Sequence, residues 1–109
     1  MPRPSKLDQE MGYIRDLWSE IRTIEAIHHG VVALHVSTLG RPGILAMRLT
    51  FTPLMEGQED YLGVQALDFT YPNAEQSTMA GFLWRKAISL GRMVDEAAQE
   101  LELRPKKRG

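Results

Sequence analysis

Three histidines are the side chains best suited to metal binding or proton transfer near neutral pH. His28 and His29 are adjacent, and His35 follows shortly after. Adjacent residues of a helix point about 100° apart, so His28 and His29 cannot readily share a metal ion, and no carboxylate follows at a ligand spacing. We interpret the pair as the end of a helix, where partly charged imidazoles suit the negative end of the helix dipole. The sequence predicts no metal site and no cofactor.

The sequence gives no stronger indication of nucleophilic catalysis than of metal binding. Ser37, His35 and Asp68 could form a Ser/His/Asp set, but the sequence has neither a nucleophile elbow nor a glycine-rich oxyanion loop. Pro42 removes a backbone donor from the only compact glycine pair, at residues 40–43, which therefore is not a phosphate loop. Cysteine is absent, which excludes thiol catalysis and is consistent with a reducing cytosol. We expect a cytoplasmic protein that is not an enzyme.

Basic residues could bind nucleic acid. Arg15 and Arg22 lie seven residues apart, as do Arg85 and Arg92, but acidic residues are interspersed among them, which favours solvated faces of mixed charge. Residues 7–103 hold seven basic and all fourteen acidic residues, a net charge of −7, whereas residues 1–6 and 104–109 together carry +6. Such a body suits a phosphate backbone poorly except through the tails.

Two amphipathic helices are predicted, one toward each end of the sequence. The first, at about residues 6–29, begins at a capping-box pattern of Ser5 and Asp8 and ends at Gly30, which suits the left-handed position. The second starts at Asn73 or Ser77 as cap and carries a seam at steps of four and three. The stripe of the first helix is Leu7, Met11, Ile14, Leu17, Trp18, Ile21, Ile24 and Ile27, and the seam of the second is Leu83, Ala87, Leu90, Val94, Ala97 and Leu101.

Three strands lie between the helices. Residues 31–39 and 44–52 alternate apolar and polar side chains around a turn at residues 40–43. Pairing Leu39 with Ile44 places Val36, Leu34 and Val32 opposite apolar partners, and a one-residue slip would destroy this match. The third strand, residues 61–71, changes parity midway, which predicts a β-bulge near residues 65–67, or else a strand that is apolar on both sides at one end and meets a partner there.

These elements predict an α+β fold of order α-β-β-β-α, with a three-stranded antiparallel meander in the order 1-2-3 and two amphipathic helices on one face. The chain forms one domain, with an ordered body at about residues 6–103 and flexible basic tails at 1–5 and 104–109. No apolar run is long enough to cross a membrane, so no membrane partner is expected. The topology resembles that of double-stranded-RNA-binding domains, but residues 73–78 carry one acid and no base where such a domain needs lysines, so the resemblance implies no function.

The edges of the sheet point to protein binding. The first strand has no lysine, proline or formal charge, and such edges are usually covered or paired. We expect a small non-enzymatic protein-interaction module, an adaptor, chaperone-like factor or inhibitor, that binds as a homodimer or to a partner such as a nucleic-acid-handling protein. The alternative is a nucleic-acid-binding protein that uses the basic tails and helix arginines. Both tryptophans are expected in the core, with an exposed hot spot as the alternative. The candidate interaction residues are Val32, Leu34, His35, Arg48, Trp84, Arg85 and Arg92.

Overall fold

A computed structural model of the chain describes residues 5–38, 45–54, 62–71 and 78–103. The first of the described elements is helix α1 (Lys6–His28) and the last is helix α2 (Met79–Leu103). Between them in sequence lie the strands β1 (Gly30–Thr38), β2 (Leu45–Pro53) and β3 (Gln65–Tyr71). The strands form one antiparallel sheet in the order β1-β2-β3, and both helices pack on one face of it. The predicted fold class is therefore confirmed. Neither helix has an apolar stretch suited to crossing a bilayer within these residues.

The β1–β2 hairpin has the predicted register. Val36 lies opposite Met47, Leu34 opposite Leu49, and Val32 opposite Phe51. The strand alternation therefore directs these apolar side chains toward the helices, and the intervening polar side chains toward the other face. The turn at residues 40–43 and the predicted pair Leu39–Ile44 lie outside the described residues. Of the predicted tails at 1–5 and 104–109, only Ser5 is described.

The predicted bulge in the third strand is wrong. β3 begins at Gln65, and its pairs with β2 run without interruption from Gln65 opposite Phe51 to Tyr71 opposite Leu45. Leu62 and Val64 precede the strand, so their parity carries no information about the ladder. Leu62 packs against the core from outside the sheet.

Helix α1 begins as predicted and ends differently. The Ser5 hydroxyl accepts a hydrogen bond from the Asp8 N–H at 3.1 Å. At the other end His29, not Gly30, takes the left-handed conformation, with φ 54°. Gly30 is instead the first residue of β1, where a Cβ atom would collide with the Phe51 ring and lie 2.6 Å from the Thr52 carbonyl oxygen. Glycine is therefore required there for close packing.

Helix α2 is capped by Thr78, whose hydroxyl accepts a hydrogen bond from the Gly81 N–H at 3.0 Å. The cap predicted at Asn73 or Ser77 is thus displaced to the residue that directly precedes the helix, and Asn73 and Ser77 lie outside the described residues. The first four members of the predicted seam are buried, whereas Ala97 and Leu101 are half-buried. The seam therefore serves the core mainly in the first half of α2.

The two helices run parallel to each other. Tyr13 of α1 lies beside Gly81, and Ile24 lies beside Gly91, where a Cβ atom would stand 3.4 Å from the isoleucine side chain. Farther along, His28 Nε2 lies 2.7 Å from a carboxylate oxygen of Asp95. The contacts thus advance in the same direction along both helices, and the small residue at position 91 permits their close approach.

The main core lies between the helices and the centre of the sheet. It consists of Ile24 from α1, Leu49 and Phe51 from β2, and Leu90 and Val94 from α2. A second cluster at the other end of the sheet joins Met47, Tyr71 and Leu83. Among the described residues no polar or charged side chain is buried. The core is therefore held by apolar burial, and β2, the central strand, supplies its largest side chain.

Seven of the eight side chains in the predicted apolar stripe of α1 divide into two faces, and the eighth, Ile27, is exposed in the last turn. Ile24 is buried and Leu17 and Ile21 are half-buried, as expected for the core. The other face stays exposed, and Trp18 retains 56% of its accessible surface, so its predicted core position is wrong. At about 100° per residue, the two faces are separated by about a quarter of a turn. The exposed face carries Leu7, Met11, Ile14 and Trp18.

Candidate interaction surface

The outer edge of β1 presents the backbone of alternate residues. The Leu54 N–H donates to the His29 carbonyl at 2.9 Å, which places odd-numbered residues of β1 toward β2. Because successive backbone groups of a strand point in opposite directions, Val32, Leu34 and Val36 direct their N–H and C=O groups away from the sheet. This edge is the one that the sequence identified as unguarded.

Part of that edge is covered. The Glu25 carboxylate accepts a hydrogen bond from the Val32 N–H at 2.9 Å. No partner for the N–H of Leu34 or Val36 occurs in the part of the chain that the structure describes. The edge predicted to be free is therefore guarded at its beginning by Glu25, and its second half is free of hydrogen-bond partners from the described residues.

The side chains of this free segment are apolar and exposed. Leu34 retains 42% and Val36 53% of their accessible surface, although their partners in β2, Leu49 and Met47, are buried. Val32 is half-buried and packs against the main core. Within the described residues, the helix layer thus covers the beginning of β1 more fully than its second half.

The exposed face of α1 lies on the same side of the molecule as this edge. Leu7, Met11, Ile14 and Trp18 succeed one another at steps of four, three and four, and Glu25 follows Trp18 by seven residues, which keeps it on the same face. Since Glu25 contacts Val32 at the β1 edge, this face is directed toward that edge. We call the six exposed side chains together the edge surface; they are Leu7, Met11, Ile14, Trp18, Leu34 and Val36.

The face of the sheet opposite the helices, the open face, carries ionisable side chains at its centre. His35, Arg48 and Asp68 lie side by side on the three strands. Arg48 donates to both carboxylate oxygens of Asp68, at 2.5 and 3.1 Å. This hydrogen bond and the accompanying charge attraction raise the pKa of the Arg48 guanidinium. The same hydrogen bond, with a smaller contribution from charge, lowers the pKa of the Asp68 carboxyl.

This arrangement does not form a nucleophilic triad. Arg48 stands between His35 and Asp68 and occupies the carboxylate. The His35 Nε2 atom lies 3.3 Å from the Thr50 hydroxyl. The Ser/His/Asp set considered from the sequence is therefore not assembled, and His35, Arg48 and Asp68 form a row of exposed side chains across the open face.

The remaining predicted site residues lie on α2, away from the β1 edge. The Trp84 ring is half-buried and lies 6.1 Å from the Tyr13 ring, centroid to centroid. Arg85 and Arg92 are exposed. The structure therefore brings Val32 with Leu34, and His35 with Arg48, but does not join these pairs to the α2 residues.

Several residues of the site were not identified from the sequence. Glu25 and the exposed face of α1 were assigned to the helix without a role in binding. Their signal was the width of the apolar stripe, because eight apolar side chains in α1 cover more than the single face that a sheet can bury. Among the described residues, no group of three histidine or acidic side chains is placed to hold a metal ion.

Another exposed feature is a shallow groove on α1. It is lined by Arg15 and Arg22 on either side of Trp18, with Ser19, Thr23 and Ala26. The groove combines two positive charges with an aromatic ring at the margin of the edge surface.

Comparison of the chain with protein-family models, with curated proteins and with solved structures gives no match.

Proposed function

We propose that this chain is a small non-enzymatic protein-interaction module, of the adaptor, chaperone-like or inhibitor class, that works as a homodimer through its edge surface. The observation that carries the proposal is the second half of β1, where the N–H groups of Leu34 and Val36 face outward beside exposed apolar side chains and have no partner in the described part of the chain. A strand that joins this edge satisfies those backbone groups and covers those side chains in one step.

The apolar character of the edge surface supports the same function. Six large apolar side chains are exposed on one side of the molecule, and each gains on the order of 1 kcal/mol when it is removed from water. Large exposed apolar side chains that gather on one side of a molecule are typical of protein–protein contact sites. Backbone pairing gives affinity and the apolar side chains give selectivity.

Charge favours a basic protein as the further partner of the module. Residues 7–103 carry a net charge of −7, and an acidic surface accelerates encounter with a basic one. A nucleic-acid-handling protein has such a surface. The homodimer would use the β1 edge, and the acidic body would remain available to this second partner.

Sedimentation and hydrogen exchange test the proposal together. We expect reversible dimerisation at micromolar concentrations, with slower exchange of the Leu34 and Val36 amides as the concentration rises. Val36→Lys should reduce dimerisation, because it places a charge against the partner. Thr70→Lys, at an exposed position of β3, is the matched control and should leave dimerisation unchanged. A monomer at all concentrations with rapid exchange at both amides would contradict the proposal.

Nucleic-acid binding is the second candidate function, and the groove of Arg15, Trp18 and Arg22 is the observation that favours it. Arginine with an exposed aromatic ring is the combination that holds single-stranded nucleic acid by charge and stacking. Binding should weaken steeply with salt and decrease in Arg15→Gln, in Arg22→Gln, and after removal of residues 104–109. Absence of binding at low salt would exclude this function.

A further inference from the structure

We propose a specific self-pairing of the β1 edge, in which two copies pair antiparallel with Leu34 opposite the partner's Val36 and the two-fold axis at His35. The inference rests on the proposed homodimer and adds its register and its axis. It follows from three observations: the direction of the backbone groups, the position of Glu25 and the pattern of exposed side chains.

The backbone directions restrict the axis. Val32, Leu34 and Val36 point outward, so these residues must pair with one another across the two-fold axis. Only three axis positions then place the exposed segment against itself: at Leu34, at His35 or at Val36.

Glu25 argues against an axis at Leu34. That arrangement pairs Val32 with the partner's Val36 and needs the Val32 N–H as a donor. The Glu25 carboxylate already accepts that N–H at 2.9 Å. A strand added in this register would have to displace a hydrogen bond to a charged group, which is among the stronger ones in proteins.

The exposed side chains argue against an axis at Val36. That arrangement pairs Leu34 with the partner's Thr38, an apolar residue with a polar one. An axis at His35 pairs Leu34 with the partner's Val36 twice, by symmetry, and so covers the two side chains that β1 leaves exposed. It is therefore the register in which two complete hydrogen-bonded pairs, both apolar, form without Val32, whereas an axis at Leu34 forms only one such pair without it. The ladder ends before the next pair, Val32 with the partner's Thr38, and so leaves the Glu25–Val32 bond in place.

The same arrangement also places the exposed face of α1 near the corresponding face of the partner. The exposed face of α1 is directed toward the β1 edge, so pairing of the two edges brings this face toward its symmetry copy. Trp18, Ile14 and Met11 then gain a neighbour on the helix side of a six-stranded sheet. A single contact thus accounts for the free edge and for the exposed helix face.

The axis also sets the neighbours of His35. This residue lies on the open face beside Thr50 and Arg48, with Asp68 beyond. In an antiparallel pair whose outward residues form the hydrogen bonds, His35 and the partner's His35 form the closer, non-hydrogen-bonded pair, with Cα atoms about 4.5 Å apart. Such a distance is within the range that a disulfide spans, about 4.4–6.8 Å between Cα atoms.

A cysteine scan tests the axis directly, because the natural chain contains no cysteine. Single variants Ala33→Cys, Leu34→Cys, His35→Cys, Val36→Cys and Ser37→Cys of the full chain are oxidised at a concentration where the dimer forms. Covalent dimer is then quantified on non-reducing gels. Thr70→Cys on β3 is the matched control. Far-UV circular dichroism of each reduced variant confirms that it is folded.

The expected result is fastest cross-linking at position 35 and loss of cross-linking at 33 and 37. A shift of two residues from the axis separates the two cysteines by about 13 Å along the strands, beyond the reach of a disulfide. A maximum at 34 or 36, in a protein that dimerises with protected edge amides, would overturn the register and leave the proposed function intact. A maximum at 70 would assign the contact to the other edge. A monomer that does not cross-link at any position would overturn both proposals.

Discussion

The Glu25 carboxylate reaches from α1 to the edge of β1 and accepts the Val32 N–H at 2.9 Å. The two residues lie seven apart in sequence, on either side of the tight connection at His29 and Gly30. The contact therefore joins the first helix to the first strand. It also satisfies one of the outward-facing N–H donors of that strand.

Removal of this carboxylate should destabilise the protein and leave the Val32 N–H without its partner. In Glu25→Ala, we expect a loss of about 1 kcal/mol in the free energy of unfolding by urea, because a partly buried donor loses its partner. Asp16→Ala, at an exposed position of the same helix, should change it by less than about 0.5 kcal/mol. If the Glu25→Ala and Asp16→Ala variants are equally stable, Glu25 does not hold the edge.

The same substitution should alter the pairing of two copies. With the Val32 N–H free, an axis at Leu34 no longer displaces a hydrogen bond. We expect Glu25→Ala combined with Leu34→Cys to form more covalent dimer than Leu34→Cys alone. An unchanged yield would show that Glu25 does not determine the register.

Gly30 tests the close packing between the helix end and the sheet. In Gly30→Ala, the added Cβ atom would meet the Phe51 ring and the Thr52 carbonyl oxygen. Both belong to the central strand, so we expect a loss of about 1–3 kcal/mol in the free energy of unfolding. Gly63→Ala is the control, because a Cβ atom there meets nothing within 4 Å, and its stability should be unchanged or raised by up to about 1 kcal/mol. Similar losses in both variants would contradict this account.

The pKa of Asp68 should depend on Arg48. The hydrogen bond from Arg48 lowers the pKa of Asp68 in the folded state. Its stabilising contribution is therefore complete above the pKa of the unfolded chain, and is lost as the pH falls through the lowered folded value. In Arg48→Gln, NMR titration of the Asp68 carboxyl carbon should show a higher pKa. Arg85→Gln on α2 should leave it unchanged, and an unchanged value in Arg48→Gln would mean that the ion pair does not persist in solution.

Trp18 gives a spectroscopic signal for the edge surface. In Trp84→Phe, Trp18 is the single tryptophan, and its exposed ring should emit like a solvated indole in dilute solution. As the concentration rises, we expect a shift to shorter wavelength and weaker quenching by acrylamide. Trp18→Phe retains only the half-buried Trp84 and should show neither change. Concentration-independent emission in the first variant would exclude α1 from the dimer contact.

The sequence predicted the hairpin well because its information is local. An alternation of period two, a short turn and apolar residues on one parity determine which residues of β1 and β2 lie opposite each other. The Ser5 cap is equally local, since it spans three residues. The same reasoning failed for β3, where the parity of Leu62 and Val64 was read as part of a strand that begins only at Gln65.

The exposed half of the α1 stripe could not be predicted from periodicity alone. An apolar stripe indicates which side chains favour burial. Which of them the sheet actually covers depends on how the helix packs in the folded chain. Trp18 and Ile24 have the same spacing signal, yet one is exposed and the other is buried. Contacts between distant segments were also beyond reach, as for His28 and Asp95, which lie 67 residues apart.

The packing of α2 on the central strand has a consequence for synthesis of the protein. Leu49 and Phe51 are covered in part by Leu90 and Val94, which leave the ribosome some forty residues later than the central strand. During that interval the nascent chain presents an uncovered sheet face and a free strand edge together, a combination that favours aggregation. The docking of α2 is therefore the event that ends this vulnerable period, and substitutions that weaken the first half of α2 should reduce the yield of soluble protein more than their effect on the finished fold suggests.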